Sequence, residues 1–240
     1  MALFALSDLH LSLGTDKPMD VFGASWHNYV NRIRENWIKT VGENDLVIIG
    51  GDVSWATYLN EAKKDFEFVN SLPGKKLIIK GNHDYWWESI TKLNKSLADW
   101  GFDSISFLHN DFFTYENFSI GAARGWIVPK SDNFKKEDEK IYERELIRLS
   151  LSFDKMEKAQ TQCEENETVR IAVFHFPPVN SLGECDEKIL ELLKKYNVKK
   201  CIYGHLHGEG IKTSFNGNAQ GIDFYLTSAD YLGFTPLRIK

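Results

Sequence analysis

Short apolar runs alternate with longer stretches of helical period along this chain. ALFALS (2–7) is followed by a segment with helical spacing from about Ser25 to Thr40 and then by DLVIIG (45–50), a β-α-β opening. A second unit follows, with a helix from about Asn60 to Leu72 closed by Pro73-Gly74, the strand KKLIIK (75–80), and a helix from about Trp87 to Trp100. Runs of this kind, apolar throughout and separated by crossover helices, predict parallel strands buried on both faces and hence an α/β sheet.

The texture then changes. Residues 104–122 read as short antiparallel strands around a turn at Glu116-Asn117. From Lys135 to about Gln160 the chain is highly charged, with Tyr142, Leu146, Leu149, Phe153 and Met156 at helical spacing, which predicts one long amphipathic helix. Packing on the body of the domain is the simpler role for it, and a docking face for a protein partner is the alternative. The α/β pattern returns with VRIAVF (169–174), a helix from about Glu184 to Tyr196, and KKCIYG (199–204), and short strands from Ile211 to Ile239 finish the chain. Without repeats, low-complexity tracts or linker-like stretches, residues 1–240 are expected to form a single domain.

The polar residues are not scattered at random. Five strand-like runs each lead at once into a small polar cluster: Ser7-Asp8-Leu9-His10, Gly51-Asp52, Gly81-Asn82-His83-Asp84, His175, and Gly204-His205-Leu206-His207. Ligands of α/β sheets bind at the carboxyl ends of the strands, so the five clusters are predicted to converge on one site. Five of the seven histidines lie in these clusters, and only His27 and His109 lie elsewhere. Turn and cap chemistry accounts for the glycines, Asp52 and Asn82. It does not account for the imidazoles.

Composition narrows the chemistry further. The 42% hydrophobic content is ample for a sizeable core. A net charge of -5 without blocks of one sign disfavours long nucleic acid or an anionic membrane as partner. The apolar runs are too short to span a bilayer, and MALFALSDLH lacks the basic start of a signal peptide, so a cytoplasmic location is expected. Cys163, Cys185 and Cys201 form no CxxC pair, which leaves nitrogen and oxygen as the donors for any metal. Imidazole with carboxylate suits Mn, Fe, Zn, Co or Ni, and six or seven ligands exceed the four of one tetrahedral zinc, which points to two divalent ions. A single-zinc hydrolase of unrelated fold is the competing reading, to be recognised by one tightly bound ion per chain.

The ordered set D-x-H, GD, GNHD, H and GHxH, each after a strand, resembles the calcineurin-like metallophosphoesterase superfamily. The resemblance spans residues 8–207. It implies a four-layer α/β/β/α sandwich of two mixed β-sheets flanked by helices, with a dinuclear site at their carboxyl edge. It implies Asp8, His10 and His207 on the first metal, Asn82, His175 and His205 on the second, and Asp52 bridging both. His83 is the implied non-ligand histidine beside the phosphate, with Asp84 placed to orient it. The activity implied is hydrolysis of a phosphomonoester or phosphodiester by a metal-bridging hydroxide, His83 assisting the leaving group; a non-catalytic scaffold on the same fold is the alternative. After Gly51-Asp52 the chain runs Val53-Ser54-Trp55-Ala56, without the GDxxD or GDxxxR extension common in the superfamily, which argues against the protein phosphatases.

Two further features concern the substrate. Arg124, between small residues after a predicted strand, is a candidate phosphate contact, since guanidinium binds phosphate in bidentate fashion. Trp55, Trp86, Trp87 and Trp126 adjoin the motifs; core packing is their simpler role and an aromatic cleft the other.

Overall fold

The computed structural model describes residues 1–17, 19, 23–160 and 168–239, so Cys163 lies outside the described residues. The chain divides into two compact units, Met1–Phe107 with Thr227–Lys240, and Leu108–Leu226. Each holds one mixed β-sheet with its own helices and apolar core, and the two sheets flanked by helices give the expected α/β class.

In the first unit the sheet order is β11-β1-β2-β3-β4. Strands β1 (Leu3–Ala5), β2 (Leu46–Ile49), β3 (Lys75–Ile78) and β4 (Ile105–Phe107) run parallel, and β11 (Leu237–Ile239) pairs antiparallel with β1. The central strands are buried almost throughout, as their unbroken apolar runs require. Helices α1 (Tyr29–Thr40), α2 (Lys63–Ser71) and α3 (Ile90–Trp100) bury Trp37, Phe66 and Leu93 in this core, beside Trp86 and Phe234.

In the second unit the order is β5-β6-β7-β8-β10-β9. Strands β6 (Phe118–Ala122), β7 (Val169–Val173), β8 (Lys200–Tyr203) and β10 (Ile222–Leu226) are parallel, edged by antiparallel β5 (Phe112–Tyr115) and β9 (Gly217–Ala219). Helix α4 (Lys136–Gln160) buries Tyr142, Leu149, Phe153 and Met156, the face expected from their spacing. It lies so close to β6 that a Cβ on Gly121 would sit 2.5 Å from the Phe153 ring. Helix α5 (Glu187–Lys195) starts where the Asp186 side chain accepts from the Ile189 N–H.

Several boundaries differ from the sequence reading for local reasons. Helix α1 begins at Tyr29, not Ser25, because Asn28 adopts left-handed φ and separates it from a 3₁₀ turn at Ala24–Trp26. Helix α3 begins at Ile90, where the Ser89 side chain caps the Lys92 N–H, and ends on the left-handed Gly101. Residues 104–122 are only partly antiparallel. The hairpin at Glu116-Asn117 forms between β5 and β6, with Glu116 at φ 52°, but β4 joins the first sheet parallel to β3, and β6 pairs parallel with β7. In the 211–239 segment a 3₁₀ helix occupies Gly208–Thr213, and β10 is parallel to β8.

No helix of the described residues is long and apolar enough to cross a membrane. Cys185 and Cys201 are buried thiols, and burial pushes the pKa of Cys185 up to about 12, which makes it a poor nucleophile or ligand.

Candidate metal centre

The five polar clusters divide between the two sheets, three in the first unit and two in the second. In the first unit they follow the adjacent parallel strands β1, β2 and β3. The loops after β1 and β2 are zipped together by backbone bonds: the Asp8, His10 and Leu11 N–H groups donate to the Gly51, Asp52 and Val53 carbonyls, each at 2.9 Å. This zipper brings Asp8, His10 and Asp52 side by side. All three are buried. Ligand atoms of Asp8 lie within 4.8 Å of ligand atoms of both His10 and Asp52.

The backbone there is held in an unusual state. Of the ten non-glycine residues with positive φ among the described residues, four are predicted ligands: Asp8 (60°), His10 (46°), Asp52 (52°) and His205 (73°). Left-handed backbone costs on the order of 1–3 kcal/mol for such residues and persists where surrounding structure enforces it, most often at functional sites. Here the enforcing structure is visible. Asp84 is fully buried, and its carboxylate accepts from the Asp52 N–H (2.9 Å), the Val53 N–H (2.9 Å), the Gly81 N–H (2.7 Å) and the Trp86 indole (3.1 Å). Those bonds tie the GNHD turn to the loop carrying Asp52. The His83 N–H completes the link by donating to Asp52 Oδ1 at 2.8 Å.

Gly81 is required by the same approach: a Cβ there would lie 2.0 Å from Asp52 Oδ1 and 2.3 Å from the Asp52 nitrogen. On the far side, Ser228 Oγ donates to Asp8 Oδ2 at 2.9 Å, a contact from a residue 220 positions away that no motif announces. Asp65 of α2, fully buried, accepts from the Ser54 hydroxyl and, at 2.7 Å, from the Leu13 N–H, joining the two ligand loops from behind. Desolvation raises its pKa to about 6, against the lowering effect of the Ser54 and Leu13 bonds.

Trp55 is half-buried between two of the histidines. Its ring lies 5.0 Å from that of His10, stacked, and 4.4 Å from that of His83, and its indole N–H points at Met19 Sδ. Trp86 belongs to the core, and Trp87 packs edge-on against Phe107. His27 is exposed, away from the clusters in sequence.

In the second unit, Arg124, His175 and the GHLH segment follow the neighbouring parallel strands β6, β7 and β8. The Arg124 carbonyl accepts from the His175 N–H (2.9 Å) and the Phe176 N–H (3.0 Å), and the His175 carbonyl accepts from Gly204 (3.1 Å). His175 is fully buried, and its ring meets that of His205 edge-on at 5.1 Å. Phe176 packs on His205 at 4.1 Å and on Trp126 at 4.9 Å.

The donors fit a borderline divalent cation: carboxylate and imidazole, preset by strained backbone, with both buried cysteines elsewhere. His10 Nε2 and Asp52 Oδ2 are 3.8 Å apart, too far for a hydrogen bond but less than twice a metal–ligand bond of about 2.1 Å. One ion fits between them.

This is the kind of site a metallophosphoesterase carries, and residues 1–209 match the family model of the calcineurin-like phosphoesterases. The chain belongs to that family. Among solved structures it is similar to a protein of unknown function from Aquifex aeolicus, with 16% identity, a TM-score of 0.50, and coverage of 99% of this chain and 95% of the other. It is also similar to the phosphopantetheinyl hydrolase from Mycobacterium tuberculosis, with 14% identity, a TM-score of 0.52 and the same coverage. These likenesses are ones of fold. No curated protein matches the chain.

Proposed function

We propose that the protein is a metal-dependent phosphoester hydrolase whose histidine-bearing clusters hold two divalent metal ions. The observation that carries this reading is the buried trio Asp8, His10 and Asp52, forced into left-handed backbone at the ends of adjacent strands within a chain of the calcineurin-like phosphoesterase family. Asp8, His10 and His207 would hold one ion and Asn82, His175 and His205 the other, with Asp52 contributing to both. When bound, such ions acidify water enough to make hydroxide available near neutral pH and offset charge on the phosphate.

The chain's own groups do the rest. Asp52 is fixed by two bonds, its N–H to Asp84 and its carboxylate to the His83 N–H, so its position does not depend on side-chain rotation alone. The same backbone bond sets His83 beside Asp52, while Trp55 and Tyr85 flank its imidazole. From there it can protonate the departing alkoxide. Histidine, whose unperturbed pKa is about 6.5, is suited to that task and as a general acid typically contributes about 10²–10⁴ in rate. Asp84 serves by holding the turn in place. Arg124, after β6 and bonded through its carbonyl to His175, takes a phosphate oxygen.

The test is hydrolysis of a panel of phosphomonoesters and phosphodiesters, a phosphopantetheinyl ester included, by protein stripped with chelator and reloaded with Mn²⁺. Metal-dependent turnover that falls at least a hundredfold in His83→Ala and in Asp52→Asn, by about that order for a lost acid, supports the proposal. Turnover that survives chelation, or is undiminished in both variants, overturns it.

A further inference from the structure

Helix α4 carries a buried carboxylate at a position its apolar face would give to leucine. Glu145 stands three residues after Tyr142 and four before Leu149, both core residues, and is only 3% exposed. Burying a charge is costly unless it is paired. Its partners are arginines: Glu145 Oε1 lies 2.6 Å from Arg148 Nη1 and 3.6 Å from Arg124 Nη2. Glu145 Oε2 is buried with no hydrogen-bond partner among the described residues.

The Arg124 pairing has the geometry of a restraint that is not fully closed. At 3.6 Å it is an ion pair and not a hydrogen bond. The guanidinium carbon sits 4.5 Å over the Trp126 ring, and Trp126 is anchored to the same helix face, its indole donating to Asp138 at 2.9 Å, seven residues before Glu145. Two points on α4 thus bracket the segment 124–126, while the Arg124 carbonyl is fixed to His175 and Phe176. The backbone is locked, and the guanidinium is confined between a carboxylate and an indole face.

Resting on the proposed function, we infer that Glu145 is a positioning residue that holds the Arg124 guanidinium ready for the phosphate of the substrate, with Trp126 as the surface along which it lies. The unused Glu145 oxygen gives the guanidinium a second acceptor as it shifts, so that substrate binding does not leave Glu145 unpaired. Arg148, paired with the same Glu145 oxygen at 2.6 Å, neutralises Glu145 and does not contact substrate.

The experiment compares Glu145→Gln, Arg124→Ala, the double variant and Arg148→Ala in the Mn²⁺-loaded protein. It reads KM and kcat for p-nitrophenyl phosphate, Ki for inorganic phosphate, and the thermal midpoint. Glutamine keeps the shape and removes the charge. Glu145→Gln is expected to raise KM and Ki by about tenfold, the scale of one weakened charge-assisted bond, with kcat within about threefold. The double variant is expected to be no worse than Arg124→Ala alone, because Glu145 acts through Arg124. Arg148→Ala is expected to leave Ki within about twofold of the parent. Unchanged Ki in Glu145→Gln overturns the inference, whether or not its thermal midpoint falls, and so do additive losses in the double variant. A parent that hydrolyses no ester defeats the proposed function and this inference together, whereas an active parent with an indifferent Glu145 defeats this inference alone.

Discussion

Replacing Gly81 by alanine tests how closely the GNHD turn must approach Asp52. The added methyl would lie 2.0 Å from Asp52 Oδ1, 2.3 Å from its nitrogen and 2.8 Å from its Cγ, so it falls about 1.4 Å short of the 3.4 Å at which ordinary contact begins. A side-chain rotation cannot relieve this, because the Asp52 nitrogen is backbone and is held by Asp84. The two loops must therefore separate by an amount well beyond the ~0.5 Å within which a catalytic constellation has to be held. Overpacking of this kind costs about 1–3 kcal/mol, and losing one hydrogen bond to a charged carboxylate about 1.5–3 kcal/mol more, for a total of about 2.5–6 kcal/mol. Urea unfolding of the metal-free protein followed by tryptophan fluorescence measures it, and six of the seven tryptophans lie in the first unit and report on it. Calorimetric titration with Mn²⁺ measures the accompanying loss of affinity. A Gly81→Ala protein within about 0.5 kcal/mol of the parent and with parental Mn²⁺ affinity would show that the turn need not approach Asp52 so closely.

Three further expectations concern the residues that support the site. Asp84→Asn puts an NH₂ against backbone N–H donors that now have a carboxylate, so at least one buried donor loses its acceptor; about 2–4 kcal/mol of stability should disappear in urea, and activity with it. Asp65 titrates near 6 in the folded protein against 3.8 unfolded, so the folded form binds the extra proton, and its contribution to stability is complete below about pH 4 and is lost as pH rises through about 6. Measured against Asp65→Asn at each pH, the parent should lose about 2 kcal/mol between pH 4 and pH 6.5; a flat difference would contradict the assigned burial cost. Ser228→Ala removes one hydrogen bond to Asp8 and should lower Mn²⁺ affinity by about three- to tenfold while leaving the fold intact by circular dichroism; unchanged affinity would show that Asp8 needs no such support.

The pattern of apolar runs made most of the architecture legible, because strands buried on both faces have to be apolar throughout and the helices between them keep their period. Helix starts were missed by a few residues where a cap decides: Ser89 and Asp186 terminate the repeat locally although the apolar spacing runs past them. Pairing across the sheets was harder to see. Strand β4 is as short as a hairpin arm, and only its register with β3, Lys76 opposite Ile105, shows it to be a parallel edge. Within the site, the ligand candidates were visible because imidazoles after strands have no turn chemistry to explain them. The supports were not. Ser228, Asp65 and Glu145 lie in no motif, and a serine or an acid in an amphipathic segment looks the same in sequence whether it faces water or a ligand loop. Asp84 was visible but its work was not, since the sequence next to His83 suggested a partner for the imidazole, while the carboxylate bonds shown run to the backbone of Gly81, Asp52 and Val53 and to the Trp86 indole.

The proposed pair of metal ions can be counted directly. Elemental analysis of Mn²⁺-loaded protein after gel filtration does so, run on the parent, Asp8→Ala and His175→Ala. Two ions per chain are expected in the parent and fewer than two in each variant. A parent with one ion, or a His175→Ala protein that retains both, would contradict the proposed pair.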